Sequence, residues 1–254
     1  MNRLDKICRI RHSLSSGYSS VGSWIQIPHP SIAEILGAAG YDWVAVDLEH
    51  GSVSPHQLPD LFRAIELGGT LPLARVAQGQ AKDCKQALDA GAGGIIVPMV
   101  ESAAQLISVR DNCRWPPAGT RGVGFSRANL FGQQMDSYRT EAQNPLLVAM
   151  IEHVLAMENL PEILSVEGLD AIIAGPYDLS ASMGITGQFD SPEFVAVMSR
   201  LLELCLQCSI PCGIHIVTPD PSDLRQKISA GYRFIAYGID SVFLAQSSGL
   251  PQQA

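Results

Sequence analysis

Basic charge is scarce in this chain. Lysine and arginine total 17 against 25 acidic residues, a formal net charge of −8. Nucleic acid is therefore not expected as a partner, because phosphate binding requires a basic face. The one local exception, Arg3, Lys6, Arg9 and Arg11, reads as the solvated face of a first helix. Long apolar runs are missing too. None approaches the roughly 20 residues of a membrane span, so no membrane partner is expected. The opening Met1-Asn2-Arg3-Leu4-Asp5 shows no apolar stretch or small-residue cleavage site, and a cytoplasmic location is expected. With no Pro/Ser-rich linker and no low-complexity block, residues 1–254 read as one domain. It should carry a short N-terminal helix and a polar C-terminal tail.

Cysteine is present but makes no framework. The six are Cys8, Cys84, Cys113, Cys205, Cys208 and Cys212, and a chain of this length can bury a core without disulfides. Cys205-x-x-Cys208 invites a zinc or redox reading, yet no second Cys or Cys/His pair follows at zinc spacing. The pair lies among Leu201, Leu202, Leu204 and Leu206, so buried free thiols are expected. Lysine is rarer still: Lys6, Lys82, Lys85 and Lys227. G-x-G-x-x-G is absent, which counts against a dinucleotide-binding open sheet.

What recurs is a helix-like stretch that ends in glycine and runs straight into an apolar strand. Gly40, Gly91, Gly168 and Gly231 each stand at such a junction. Glycine suits the left-handed position that closes a helix. The runs that follow lack polar alternation, as strands buried on both faces of a parallel sheet do. Eight candidate strands emerge, near 22–27, 43–47, 71–76, 94–99, 146–151, 171–174, 212–216 and 234–237. Three helix starts are marked between them, by Ser31-x-x-Glu34, Ser102-x-x-Gln105 and Ser191-Pro192. Eight β/α units in about 250 residues predict a single (β/α)₈ barrel.

In such a barrel the chemistry collects at the C-terminal ends of the strands. There the sequence offers Asp47-Leu48-Glu49-His50, Arg75, Glu152-His153, Gly175-Pro176-Tyr177-Asp178 and, on the seventh strand, His215. Two carboxylates on neighbouring strands, Glu152 and Asp178, suit a hard cation such as Mg²⁺ or Mn²⁺, with water and substrate oxygens completing its shell. The competing reading is a glycosidase acid/base pair; an arginine at the site and only 6% aromatic residues speak against it. The turn at Gly175 could hold a carboxylate on free backbone N–H groups, and Arg75 could bind the same anion. No lysine falls on a candidate strand, so Schiff-base chemistry is not expected. A divalent metal would act as the Lewis acid instead.

The motifs Asp47-Leu48-Glu49-His50-Gly51, Val97-Pro98-Met99-Val100, Pro116-Pro117-x-Gly119-x-Arg121-Gly122-x-Gly124, Ile151-Glu152 and Gly175-Pro176-x-Asp178-Leu179-Ser180 stand in this order. In this the chain resembles the HpcH/HpaI aldolase family over nearly its whole length. The resemblance implies a metal-dependent (class II) pyruvate aldolase that cleaves a 4-hydroxy-2-oxo acid to pyruvate and an aldehyde. It implies Mg²⁺, Mn²⁺ or Co²⁺ on Glu152 and Asp178, and pyruvate on Arg75 with the turn of Gly175, Tyr177 and Asp178. Acid/base chemistry falls to His50, with Asp47 and Asp89 near it. Trp24 is placed with the substrate-binding residues. His153 and His215 depart from the family pattern and are assigned to the acceptor pocket. A homo-oligomer is implied, a hexamer or trimer with the stretch from Asp240 to Ser248 exchanged. Oxaloacetate-type decarboxylation on the same metal site, and a barrel that binds a small acid without turnover, are the alternatives.

Overall fold

A computed structural model of the chain describes residues 2–249. Eight parallel strands close into one barrel in sequence order, with β8 pairing back onto β1. Helix α1 (Arg3–Ser15) precedes β1 (Ser20–Ile25), α2 (Pro30–Ala38) and β2 (Trp43–Asp47). Then come α3 (Leu58–Leu67), β3 (Leu71–Arg75), α4 (Ala81–Ala90), β4 (Gly94–Val97), α5 (Ala103–Cys113), α6 (Met135–Gln143) and β5 (Leu146–Ile151). Two short helices, α7 (Val154–Glu158) and α8 (Leu160–Leu164), lead to β6 (Ala171–Ala174) and α9 (Pro176–Ser182). The chain continues through α10 (Pro192–Gln207), β7 (Cys212–Ile216), α11 (Pro221–Ala230), β8 (Phe234–Ile239) and α12 (Asp240–Ser247). The expected (β/α)₈ barrel is the observed fold. Residues 250–254 of the expected polar tail lie outside the described residues.

The strands match expectation because their apolar runs face two layers at once. Trp43, Leu71, Leu73, Ile96, Val148, Ile173 and Phe234 fill the barrel interior, while Val44, Val46, Ile95, Ile172 and Ile235 pack outward on the helices. Trp43 and Phe234 stack at 4.6 Å between centroids. The interior is full enough that Gly22 is required: a Cβ there would lie 2.1 Å from the Trp43 ring. Each of the four junction glycines adopts positive φ, from +84° at Gly168 to +112° at Gly231, as a left-handed helix terminus demands.

Helix α1 corrects one expectation. It is no merely solvated face, because Ile7, Ile10 and Leu14 plug the N-terminal end of the barrel against its interior aromatics. Lys6 is buried and donates to the Thr70 carbonyl at 3.1 Å. Arg3 pairs with Glu66 and Glu141, and Arg11 with Asp170. Among the helix starts, Ser191 accepts the Phe194 N–H as expected. Ser102 accepts the Gln105 N–H, but the Gln105 side chain turns to the Glu101 N–H and the Met99 carbonyl, so the box is not reciprocal. Ser31 is not a cap: α2 starts at Pro30, with His29 as its cap. All six cysteines are free thiols, though Cys8 and Cys208 are exposed and not buried.

Candidate active site

Strand register builds the mouth of the barrel. Asp47 and Arg75 end β2 and β3 as direct cross-strand partners, so their side chains meet at once. Arg75 grips Asp47 through Nε (2.9 Å) and Nη2 (2.6 Å), a planar fork that lysine could not make. Beneath the guanidinium lies the Trp24 ring, 4.6 Å from Cζ. Trp24 is 1% exposed. It is thus the platform of Arg75 rather than a wall of the substrate cavity, which corrects its assignment to substrate binding. Asp47 Oδ1 also accepts the backbone N–H groups of Glu49 and His50. Burial opposes the charge on Asp47, but the Arg75 hydrogen bonds and charge outweigh it and hold the carboxyl below its usual range.

The second half of the site repeats the logic on β5 and β6. Ile151 and Ala174 are register partners, so Glu152 and Gly175 follow side by side. A Cβ on Gly175 would lie 2.3 Å from Glu152 Oε1; the missing side chain is the space the carboxylate occupies. Glu152 is 4% exposed, and its Oε2 accepts the Met99 N–H at 3.0 Å. Burial, with repulsion from Glu49 and Asp178, pushes its carboxyl up to about 7. Asp178 sits in the first turn of α9. Glu49, to which the sequence assigns no role as ligand or acid, stands 3.4 Å from Arg75 Nε, and its Oε2 is buried without a hydrogen bond among the described residues. Burial raises it, and Asp47 and Asp178 add to that against the pull of Arg75. Its place two residues past Asp47, beyond the strand end, was the only sequence signal.

These groups open on a cavity of about 720 Å³ whose lining includes His50, Arg75, Glu152, Tyr177, Asp178 and His215. His50 exposes 58% of its side chain, with Nε2 3.8 Å from Glu49 Oε2. His215 packs against Trp24 at 5.8 Å between rings; burial lowers it to about 4, so the ring is neutral. Tyr177 lies edge-on to Phe189 at 4.9 Å.

The expected places of Asp89 and His153 change, and the contacts of Asp47 and Lys227 become specific. Asp47 does not hold the His50 ring, since both its oxygens are engaged by Arg75, backbone N–H groups and Gln26. Asp89 lies next to the end of α4, hence at the opposite rim from the strand C-termini, where it pairs with Arg121 at 2.8 Å. His153 is not in the cavity lining; it caps α7 by accepting the Leu155 N–H and faces Glu101 at 3.8 Å. Lys227 does line the cavity, but from α11 in the helix layer, with Asp223 3.9 Å away.

The acidic set fits a divalent cation. Asp47, Glu49 and Glu152 crowd around Arg75, and Asp178 adds its charge to Glu49 and Glu152; one added divalent charge would relieve the excess. Among the described residues no three acidic, histidine or cysteine side chains enclose a metal by themselves. Two carboxylates with open positions are what a hard ion that keeps water and takes substrate oxygens requires.

The family model of HpcH/HpaI aldolase/citrate lyase matches residues 20–247. The chain belongs to this family. A hydroxypyruvate/pyruvate aldolase of Roseobacter denitrificans is 38% identical, over 92% of this chain and 91% of that protein. A 4-hydroxy-2-oxovalerate aldolase of Novosphingobium aromaticivorans is 36% identical, over 93% and 90%. The crystal structure of a family protein from Burkholderia cenocepacia superposes with a TM-score of 0.88 at 29% identity, over 94% of this chain and 96% of that one. This HpcH/HpaI member is therefore an enzyme, a carbon–carbon lyase of the pyruvate and aldol type. Among the described residues no helix is long and apolar enough to cross a membrane.

Proposed function

We propose that the enzyme is a metal-dependent pyruvate aldolase that cleaves a 4-hydroxy-2-oxo acid to pyruvate and an aldehyde. The observation that carries this reading is the gathering of Glu49, Glu152 and Asp178 around Arg75 at one barrel mouth. Glu152 and Asp178 would hold the cation, Mg²⁺, Mn²⁺ or Co²⁺. When bound, it supplies Lewis-acid stabilisation of the negative oxygen that develops on the donor. Arg75 has Nε and Nη2 engaged by Asp47, whereas among the described residues Nη1 has only Met150 Sδ, at 4.0 Å. Nη1 is thus the donor available to a substrate oxygen. The turn of Gly175, Tyr177 and Asp178 takes the substrate carboxylate. His50, at the rim of the cavity, removes the proton of the hydroxyl on the bond that breaks, directly or through one water. His215 borders the acceptor side. The names of the relatives above support the donor half.

The test is pyruvate release, coupled to lactate dehydrogenase, across 4-hydroxy-2-oxo acids. Activity should vanish with EDTA and return with Mg²⁺, Mn²⁺ or Co²⁺. Borohydride with pyruvate should leave no adduct. Activity in EDTA together with a borohydride-stable adduct on Lys227 would replace the metal mechanism with a Schiff base. Release of CO₂ from oxaloacetate without any aldol cleavage would make the enzyme a decarboxylase.

We further propose a homo-oligomer, a trimer or hexamer, working in the cytoplasm. Val123, Phe125 and Phe131, all in the segment between α5 and α6, are 55%, 77% and 62% exposed, an apolar set that suits burial against another copy. Helix α12 buries fully only Asp240, which leaves most of it available for exchange. Six free thiols suit a reducing compartment. Light scattering on the purified protein reads the assembly, and a monomer would refute it.

A further inference from the structure

The hydrogen bonds of the site do not stop at Asp47. This side chain is fully buried, and its two oxygens are held differently. Oδ1 accepts from Arg75 Nε and from the backbone N–H groups of Glu49 (3.0 Å) and His50 (3.2 Å). Among the described residues, Oδ2 accepts from Arg75 Nη2 and from one other donor, the Gln26 side-chain amide, at 3.0 Å. The loop backbone therefore anchors one end of the carboxylate. Gln26 alone anchors the other end outside the arginine fork. If that anchor is lost, rotation about Cβ–Cγ swings Oδ2, and the guanidinium bound to it must follow.

Gln26 is itself oriented. Its Oε1 accepts the Ser241 hydroxyl at 3.1 Å. The opposite amide orientation would set a carbonyl against a carboxylate, so the NH₂ group must face Asp47. Ser241 stands at the start of α12, next to Asp240. Asp240 in turn accepts the backbone N–H groups of Gln26 (2.9 Å), Ile27 (2.8 Å) and Ser241 (2.7 Å). The end of β1 and the start of α12 are thereby tied by hydrogen bonds around a buried carboxylate. Gln26 also borders the cavity.

We propose that Gln26 is a positioning residue, oriented by Ser241 of α12, which fixes the plane of the Asp47–Arg75 fork and so the direction in which Arg75 Nη1 meets a substrate oxygen. The proposal rests on the reading above only in that Arg75 binds the 2-oxo acid. It joins the seat of α12 to donor binding, a link not shared by Glu152, just past β5, or Asp178 on α9.

The experiment uses calorimetric titration of pyruvate into the Mn²⁺-loaded enzyme, beside the thermal midpoint and the Mn²⁺ affinity. Gln26→Met keeps the length of the side chain and loses the amide. It should weaken pyruvate binding about tenfold, the scale of a lost hydrogen bond to a charged group, with Mn²⁺ affinity and folding held. Gln26→Glu has nearly the shape of glutamine but sets a second carboxylate against Asp47. It should lose more than Gln26→Met at pH 8 and recover, relative to wild type at the same pH, towards pH 5.5, where a protonated carboxyl can donate as the amide does. Ser241→Ala should weaken binding in the same direction but less. In an Arg75→Lys background Gln26→Met should add little, because its effect passes through Arg75.

Wild-type pyruvate affinity in Gln26→Met overturns the proposal. So does a full, additive loss in the Arg75→Lys background, which would mean that Gln26 touches the substrate itself. If Gln26→Met fails to fold, unchanged binding in Ser241→Ala overturns it instead. A wild-type enzyme that binds Mn²⁺ but no pyruvate sinks the aldolase reading and this proposal with it. Wild-type binding that the Gln26 and Ser241 variants leave untouched sinks this proposal alone.

Discussion

At the scale of single residues, the site is organised by what is absent as much as by what is present. Glu152 lies where a side chain on residue 175 would be, with 2.3 Å between Oε1 and a Cβ built on Gly175. The backbone there, φ −102° and ψ 89°, does not require glycine for its conformation, so Gly175→Ala acts through the clash. It should turn the carboxylate away and lower Mn²⁺ affinity by about ten- to hundredfold, the usual cost of disturbing the surroundings of a metal ligand. Titration of Mn²⁺ into the variant checks this, and unchanged affinity would remove Glu152 from the metal site. His50 is the converse case, a half-exposed ring with no group clamping it and Glu49 3.8 Å away. His50→Ala should bind metal and pyruvate as wild type does and lose about a hundredfold in cleavage, in line with general acid–base contributions. Cleavage that survives, or metal binding that fails, would take proton transfer away from His50.

At the scale of elements, the strands were legible and the side-chain partnerships were not. β2, β5, β6 and β7 run over the expected residues, because a strand buried on both faces leaves an unbroken apolar run between a glycine stop and a polar end. The same pattern located Asp47, Arg75, Glu152 and Asp178 at the mouth. It could not choose among partners: which oxygen Arg75 takes depends on register and rotamer. Glu49 lies just beyond a strand end, where no period marks it, and Gln26 falls inside the run expected as the first strand, which in the structure stops at Ile25. Asp89 was excludable in principle, since a residue that closes a helix before the next strand must lie at the far rim. Helix starts divide similarly. Ser191 followed by Pro192 is unambiguous, but Ser31 follows His29-Pro30, and proline at the first turn moves the cap back to His29. Ser191→Ala should therefore cost about 1 kcal/mol of stability, while Ser31→Ala should fall within error. Urea unfolding of the two variants side by side decides it, and equal losses would restore Ser31 as a cap.

At the scale of the whole molecule, the metal-free enzyme carries a buried carboxyl and a partly buried imidazole whose protonation opposes across the acid range. His215 is lowered from 6.5 to about 4. Between those values the unfolded chain binds the proton that the folded one refuses, so its contribution to stability is present above 6.5 and lost as pH falls towards 4. Glu152 is raised from 4.5 to about 7. The folded chain keeps that proton, so its contribution is present below 4.5 and lost as pH rises through 7. From about pH 4.5 to 6.5 the two slopes cancel; above that, Glu152 alone acts, because burial and the charges of Glu49 and Asp178 oppose its ionised carboxylate more than the Met99 N–H and Arg75 favour it. Glu152→Gln removes that charge and keeps the shape. In EDTA the wild type and Glu152→Gln should be of similar stability at pH 5. By pH 8 the wild type should fall behind by up to about 3 kcal/mol, the full linkage value of such a shift. Mn²⁺ should reverse the order at pH 8, since it rewards the ionised carboxylate of the wild type and finds one ligand missing in Glu152→Gln. Thermal unfolding of both proteins at the two pH values, with and without Mn²⁺, measures all four states. A gap that does not change with pH, or that Mn²⁺ leaves untouched, would mean that the crowding of acids at the mouth is relieved by something other than a cation on Glu152.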